Sequence, residues 1–338
     1  MLENITVSPS PHISKAHSTR SIMLDVIIGL AFPMVAAVLF FRLRAVTVIA
    51  ACVITCVVTE WICNLIAKKS NSLGDLSAVV TGIILALSLP AAIPVWAAVV
   101  GSAIAIAIGK MVFGGLGANV FNPAMVARTF MAASFGALMT TWTVPATMDP
   151  AMPLIKVSTA INADAVTQAT PLGWSKQAIK GEANIEKAAS LRTNSILGTV
   201  GGCLGETSAL AMLLGGAYML IRKTITYIIP VAVLGSAALF AAIFYFASPD
   251  KFADPAFHII SGGMLFCAIF IATDPVTAPL TRSGMWVFGI GVGVVVMLIR
   301  NVGGYPEGVM FAILLMNALA PLIERVCTLT PTGGKKND

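Results

Sequence analysis

Charge is what this chain has least of. Of its 338 residues, 11% are Asp, Glu, Lys or Arg, and 57% are hydrophobic. A soluble domain carries about 25% charged residues, so a fully solvated surface is excluded. Runs such as Ile83 to Leu89 and Val292 to Leu298 contain no charge at all. Strict polar/apolar alternation is missing too, which argues against a membrane barrel. The apolar stretches are continuous and roughly 20 residues long, enough to cross the hydrocarbon core as helices whose backbone groups are satisfied internally. The cysteines form no Cys-x-x-Cys pair: Cys52, Cys56 and Cys63 fall in one helix, and Cys203, Cys267 and Cys327 are scattered. A disulfide framework and a metal centre are not expected, and the thiols read as small packing residues. A small-x-small cleavage site is lacking around Ile22 to Phe41, so this run reads as a retained first helix. The net charge of +6 follows from membrane topology and needs no nucleic-acid partner.

The pattern predicts an all-α integral membrane protein of about ten transmembrane helices. Their cores lie at 22–41, 45–67, 77–92, 95–113, 124–142, 204–221, 225–246, 258–273, 285–300 and 308–327. The chain divides into an N-terminal segment (1–21), a first five-helix half (22–142), a long polar loop (143–203), a second five-helix half (204–327) and a tail (328–338). Lys15, Arg20, Lys68, Lys69, Lys110, Arg222, Lys223, Arg282, Arg325, Lys335 and Lys336 all fall on one side. The short loops of the other side hold only Arg42, Arg44, Lys251 and Arg300. The positive-inside rule then puts both termini in the cytoplasm and the long loop outside. Five helices per half invert one half relative to the other. Gly-Pro-rich breaks precede helix five (Gly114 to Pro123) and helix ten (Gly303 to Gly308), a faint echo of the inverted repeat in which ligand sites lie at the repeat interface. The same punctuation is also ordinary loop chemistry.

One loop segment bears on chemistry: Asp164-Ala165-Val166-Thr167-Gln168-Ala169-Thr170-Pro171-Leu172. Taken alone it reads as a turn, with Asp164 and Thr167 bonding nearby backbone. It resembles the flavin-transferase target pattern Asp-x-x-Ser/Thr-Gly-Ala-Thr, with Gln168 where Gly is usual. The resemblance implies that Thr170 is esterified to the phosphate of FMN, with Asp164, Thr167 and Ala169 completing the target. A loop offers a modifying enzyme an accessible hydroxyl. A tether keeps the cofactor at high effective concentration on the outer side.

Further blocks carry the same resemblance across residues 8 to about 325. They are Ser8-Pro9-Ser10-Pro11-His12-Ile13, Ile22-Met23-Leu24-Asp25-Val26, the Gly114 to Ala124 stretch, Gly205-Glu206-Thr207-Ser208, Ala272-Thr273-Asp274-Pro275-Val276 and Gly303 to Gly308. Together they are similar to the NqrB/RnfD group of membrane flavoproteins, and most similar to the D subunit of Rnf electron-transport complexes. Several expectations follow. The fold would be a five-plus-five inverted repeat in a bacterial inner membrane. The function would be relay of electrons through covalent FMN in a complex that couples electron transfer between ferredoxin and NAD to sodium or proton movement. A second, non-covalent flavin, riboflavin, is implied in the helical bundle. The partners would be the other Rnf subunits, above all the FMN-bearing G subunit, with a flavin transferase for maturation and lipid around the helices. The chain would act as one component of a translocase, with no catalytic residue of its own. The B subunit of a sodium-translocating NADH:quinone reductase is the alternative within the group. A non-redox channel or transporter is the alternative outside it, since fold does not imply function.

Ionisable residues inside helices are functional candidates by default. Glu60 lies within the second predicted helix and Glu206 at the outer start of the sixth, and both are candidates for an ion route. Glu60 is equally explained by a buried partner on a neighbouring helix, and Arg128 by a carboxylate that holds the fold. Asn119 and Asn122, in the Gly-rich break, are candidates for flavin binding, as is Glu206. Gly-rich backbone at a helix start suits phosphate, though it also suits close helix packing. Asp75 and Glu206 could each cap a helix.

Overall fold

A computed structural model describes residues 18–68, 72–143, 170–181, 195–196, 200–206 and 208–328. Asp164, Thr167 and Ala169 lie outside these residues. Among them the chain is helical, with a lone bridge between Pro90 and Cys203. The first half comprises α1 (Thr19–Phe41), α2 (Leu43–Ile66), α3 (Ser77–Leu87), α4 (Val95–Ile106), α5 (Pro123–Ser134) and a short α6 (Gly136–Met139). After α7 (Pro171–Ile179) come α8 (Ala209–Ile221), α9 (Ile228–Ala247), α10 (Pro255–Ile260), α11 (Met264–Phe266), α12 (Arg282–Asn301) and α13 (Val309–Val326). Five of these, α1, α2, α9, α12 and α13, are long and apolar enough to cross a membrane, and α3, α4 and α8 are shorter apolar helices. Leu39, Ile54, Leu239 and Ile243 are each more than half exposed. So much outward apolar surface marks a lipid-facing exterior.

Several expected helices are interrupted. The one expected over 77–92 stops at Leu87, and Ser88 to Pro94 continues without regular structure. Pro90 and Pro94 account for this: neither can donate to a helix, and each disfavours helical geometry in the residue before it. The helix expected over 204–221 begins at Ala209, capped by the Ser208 side chain. Residues 200–206 precede it as buried irregular chain, so Glu206 does not cap this helix. Leu204 N donates to Leu89 O (3.0 Å) and Gly205 N to Leu87 O (2.7 Å), so the two irregular stretches satisfy one another. The helix expected over 258–273 is split by Ser261 to Gly263 into α10 and α11, and α11 runs into a π-turn at Cys267–Ile271. Gly262 has φ +70°, a left-handed conformation that glycine adopts without steric cost. The helix expected over 95–113 likewise ends in a π-turn, Ala107–Met111. The one expected over 124–142 breaks at Phe135.

The two halves share contacts in a consistent order. α1 packs on α8, α5 on α13, α2 on α4, and α9 on α12. The α1–α8 crossing is close enough that a Cβ on Gly215 would overlap the carbonyl oxygen of Gly29. Such small-residue contacts let membrane helices approach backbone to backbone. Gly215→Ala is therefore expected to destabilise the protein by about 1–3 kcal/mol through overpacking, read as a lower thermal midpoint in detergent. Gly235→Ala on α9, where a Cβ meets nothing within 4 Å, should not lower the midpoint, because alanine favours the helix over glycine.

Candidate functional site

Buried polar groups follow the seam between the halves, and they fall into three clusters and a docked helix. The first cluster surrounds a cavity that is partly open at its mouth. It is bounded by the starts of α1 and α3, the Lys110 to Ala124 stretch, the end of α8 and the Phe270 to Val276 stretch. Its polar lining includes Thr81, Lys110, Asn119, Asn122, Thr273 and Asp274, amid apolar walls such as Met23, Ile84 and Phe270. Asn122 caps α5, its Oδ1 accepting from the N–H groups of Ala124 (3.1 Å) and Met125 (3.3 Å). It also ties the halves together: its backbone N–H donates to Asn317 Oδ1 (3.1 Å) and its Nδ2 to Asp274 Oδ2 (3.5 Å). Asn119 donates to Phe121 O (3.2 Å), while its buried Oδ1 has no hydrogen-bond partner among the described residues. An orphaned buried acceptor is uncommon, and this one belongs to the cavity lining.

Glu60 lies beside the cavity, fully buried on α2. The Lys110 ammonium donates to both of its oxygens (2.8 Å each) and to Ser77 Oγ. Ser72 donates to Glu60 Oε1 and accepts from Asn64 Nδ2 (2.9 Å). The carboxylate and all three ammonium protons are thus satisfied. Lys110 sits in the Ala107–Met111 π-turn, whose wider winding re-aims side chains and recurs at functional sites. In the sequence Lys110 counts among the basic residues of the cytoplasmic side, because a π-turn leaves no periodicity signal. Asp75 serves α3, its Oδ1 accepting from Ser77 N (2.8 Å).

Further along the seam Arg128, on α5, donates through Nη2 to Glu206 Oε1 (3.2 Å) and to Cys203 Sγ (3.4 Å). The third cluster lies at the far end of α12. Arg300 donates to His258 O (2.7 Å), Ser261 O (3.2 Å) and both oxygens of Glu307 (3.0 and 3.2 Å), and Glu307 Oε2 accepts from Gly263 N (3.0 Å). A Cβ on Gly263 would meet Glu206 Oε1 at 2.9 Å, and one on Gly262 would crowd Glu307 Oε2. The Gly262–Gly263 break therefore brings Glu206 and Glu307 to adjacent backbone. Nothing in the sequence pairs Arg300, which counts among the basic residues of the outer loops, with Glu307. The one available signal is a carboxylate within a Gly-rich break.

Thr170 is partly buried and caps α7, its Oγ1 accepting from Gly173 N (3.0 Å). Pro171 occupies the first helical position, where its missing N–H costs nothing. The helix is seated on the second half. Leu172 packs with Ala253, Phe257 and Trp174, and Lys176 Nζ donates to Arg300 O (2.9 Å). Burial, and then the like charge of Lys180, draw the Lys176 pKa below its ordinary value. Thr170 and the cavity occupy opposite ends of the bundle. The cavity borders the start of α1, and the α7 seat borders the end of α12, beyond the Arg300–Glu307 pair.

Breaking a buried ion pair strands a charge and costs about 3–5 kcal/mol. Lys110→Met is expected to fall in this range, measured by thermal melting in detergent. Lys110→Met combined with Glu60→Leu should recover most of the loss, because no charge is then left unpaired.

Residues 6–333 match the model of the NQR2, RnfD, RnfE family. The D subunit of the Na(+)-translocating ferredoxin:NAD(+) oxidoreductase complex of Acetobacterium woodii is 43% identical over 323 residues, which cover 95% of this chain and 93% of that protein. The D subunit of the proton-translocating ferredoxin:NAD(+) oxidoreductase complex of Clostridium ljungdahlii is 39% identical, with coverage of 95% and 93%. The D subunit of the ion-translocating oxidoreductase complex of Halorhodospira halophila is 39% identical, with coverage of 93% and 91%. A match over nearly the whole length, with relatives of this identity, places the chain in the NQR2, RnfD, RnfE family.

Proposed function

We propose that this protein is the membrane subunit of an Rnf-type complex, a translocase in which it relays electrons through FMN esterified to Thr170. Relatives over nearly the full chain are D subunits of ferredoxin:NAD(+) oxidoreductase complexes named as sodium- or proton-translocating. The observation that carries the flavin reading is the place of Thr170 at the N-terminus of a docked helix. Helix N-termini offer unpaired N–H groups and a positive dipole end to a phosphate. The Thr170 oxygen already faces Gly173 N, and as an ester oxygen it could still accept that bond. Bound there, FMN would supply a carrier able to take up one or two electrons. The ferredoxin and NAD chemistry would lie in other subunits, with the FMN-bearing G subunit as the exchange partner on the outer side.

The cavity at the opposite end suits a second, non-covalent flavin, riboflavin. A flat ring system with both donors and acceptors matches apolar walls interrupted by a few polar groups. The free Oδ1 of Asn119 fits a ring N–H, and Thr273 and Asp274 stand in the same lining. Asn122 would act indirectly, by holding the start of α5 against the second half.

The contact order supports a five-plus-five inverted repeat. First helices pack on each other (α1, α8), as do last helices (α5, α13), and second pairs with fourth in both halves. Both third elements are interrupted. Arg222 and Lys223 follow α8, Arg282 opens α12 and Arg325 ends α13, all at the cavity end. This supports a cytoplasmic cavity and an exterior Thr170 in a bacterial inner membrane. An ion route through Glu60 or Glu206 would require the Lys110 or Arg128 pair to open. Unchanged pumping by the assembled complex carrying Glu60→Gln and Glu206→Gln together would exclude that route.

The denatured protein, from cells with an active flavin transferase, is expected to fluoresce under ultraviolet light on a gel. Thr170→Ala should darken the band without lowering the amount in the membrane. Asn119→Leu should leave the band bright and reduce the flavin released on denaturation. A dark wild-type band would refute the covalent site.

A further inference from the structure

We infer that Lys176, assisted by Leu172, is the positioning residue that fixes Thr170 against the second half and so sets where the tethered flavin stands; this rests on the flavin reading above.

A helix of nine residues is too short to be stable alone, so α7 takes its place from what it docks on. Leu172 and Lys176 both dock on the second half. Leu172 is buried against Ala253 and Phe257 and lies over Gly262, where any Cβ would overlap Leu172 Cδ1. Lys176 is nine-tenths buried, and its ammonium donates to the carbonyls of Arg300 (2.9 Å) and Ile299 (3.5 Å). α12 ends at Asn301, so these carbonyls belong to the last turn, which has no partner within its own helix and carries the negative end of the dipole. A cation delivered from another element completes that end. The same residue, Arg300, uses its guanidinium to bind His258 O, Ser261 O and Glu307. The seat of α7 is therefore continuous with the buried charge network.

Along α7, Lys176 lies six residues from Thr170, about 9 Å at 1.5 Å per residue. Lys176 clamped toward one end and Leu172 seated near the other leave the helix little freedom to pivot. Electron exchange depends on where the flavin stands relative to its partner carrier. Electron tunnelling falls off exponentially with separation, so a shift of the helix changes the rate of exchange.

The test uses the whole purified complex with Lys176→Met, Lys176→Arg or Leu172→Ala. Two quantities are read: ultraviolet fluorescence of the denatured band, and the rate of tethered-flavin reduction after rapid mixing with NADH. Lys176→Met is expected to keep a bright band and slow the reduction severalfold. Lys176→Arg, which retains the cation and its reach, should restore the wild-type rate, and Leu172→Ala should slow it. A wild-type rate in Lys176→Met with a bright band overturns the positioning role. If that variant does not accumulate, a wild-type rate in Leu172→Ala overturns it equally. A dark wild-type band, by contrast, strikes at the flavin reading itself.

Discussion

Everything in the centre of this protein depends on pairing two pieces of non-helical chain with each other. Backbone N–H and C=O groups cannot go unpaired in hydrocarbon, so irregular chain is tolerated at that depth only where protein satisfies it. Leu87 and Leu89, where the third element stops, offer carbonyls; Leu204 and Gly205, before α8, supply N–H groups. The exchange binds the first half to the second. It also holds Cys203 and Glu206 where Arg128 can reach them. Gly205 has no side chain to obstruct this, and a Cβ there would meet Leu87 Cβ at 2.8 Å.

Around that seam six charges are arranged as three ion pairs. Lys110 meets Glu60, Arg128 meets Glu206, and Arg300 meets Glu307. Removing charges from water is costly, and such pairs are seldom net stabilisers; what they provide is a strong penalty for any arrangement that separates them. Two of the pairs join elements distant in sequence, and Arg300–Glu307 ties the end of α12 to the chain before α13, so the pairs fix registers that apolar packing leaves loose. The same placement serves the proposed function. A neutral interior can sit beside a redox group, and opening one pair would alter the local electrostatic potential.

The two candidate flavin regions differ in construction. The cavity is a cleft between halves, lined by groups from five separate stretches of chain, with Asn122 tied to both Asn317 and Asp274. The Thr170 region is a helix end resting on a platform. A tether suits the platform, because a group bound at a surface lacks enclosing walls to hold it. A non-covalent ligand suits the cleft.

The sequence by itself determined the helical membrane class, because the scarcity of charge and the length of the apolar runs leave no other way to satisfy a backbone in lipid. It also singled out Thr170, Asn119, Asn122, Glu60 and Glu206 as candidates through short motifs and misplaced charges, and the motif blocks were enough to identify the family. Periodicity overran the helix ends at Leu87 and around Gly262, since apolar composition continues through breaks that prolines and glycines impose on the backbone. Only the tertiary structure decided which residues meet. Lys110 turns to Glu60 through a π-turn, Arg300 reaches Glu307 seven positions on in the break before α13, and Lys176 crosses 124 positions to the end of α12. Such partnerships depend on how helices pack and where they break, and a linear pattern of apolar residues specifies neither.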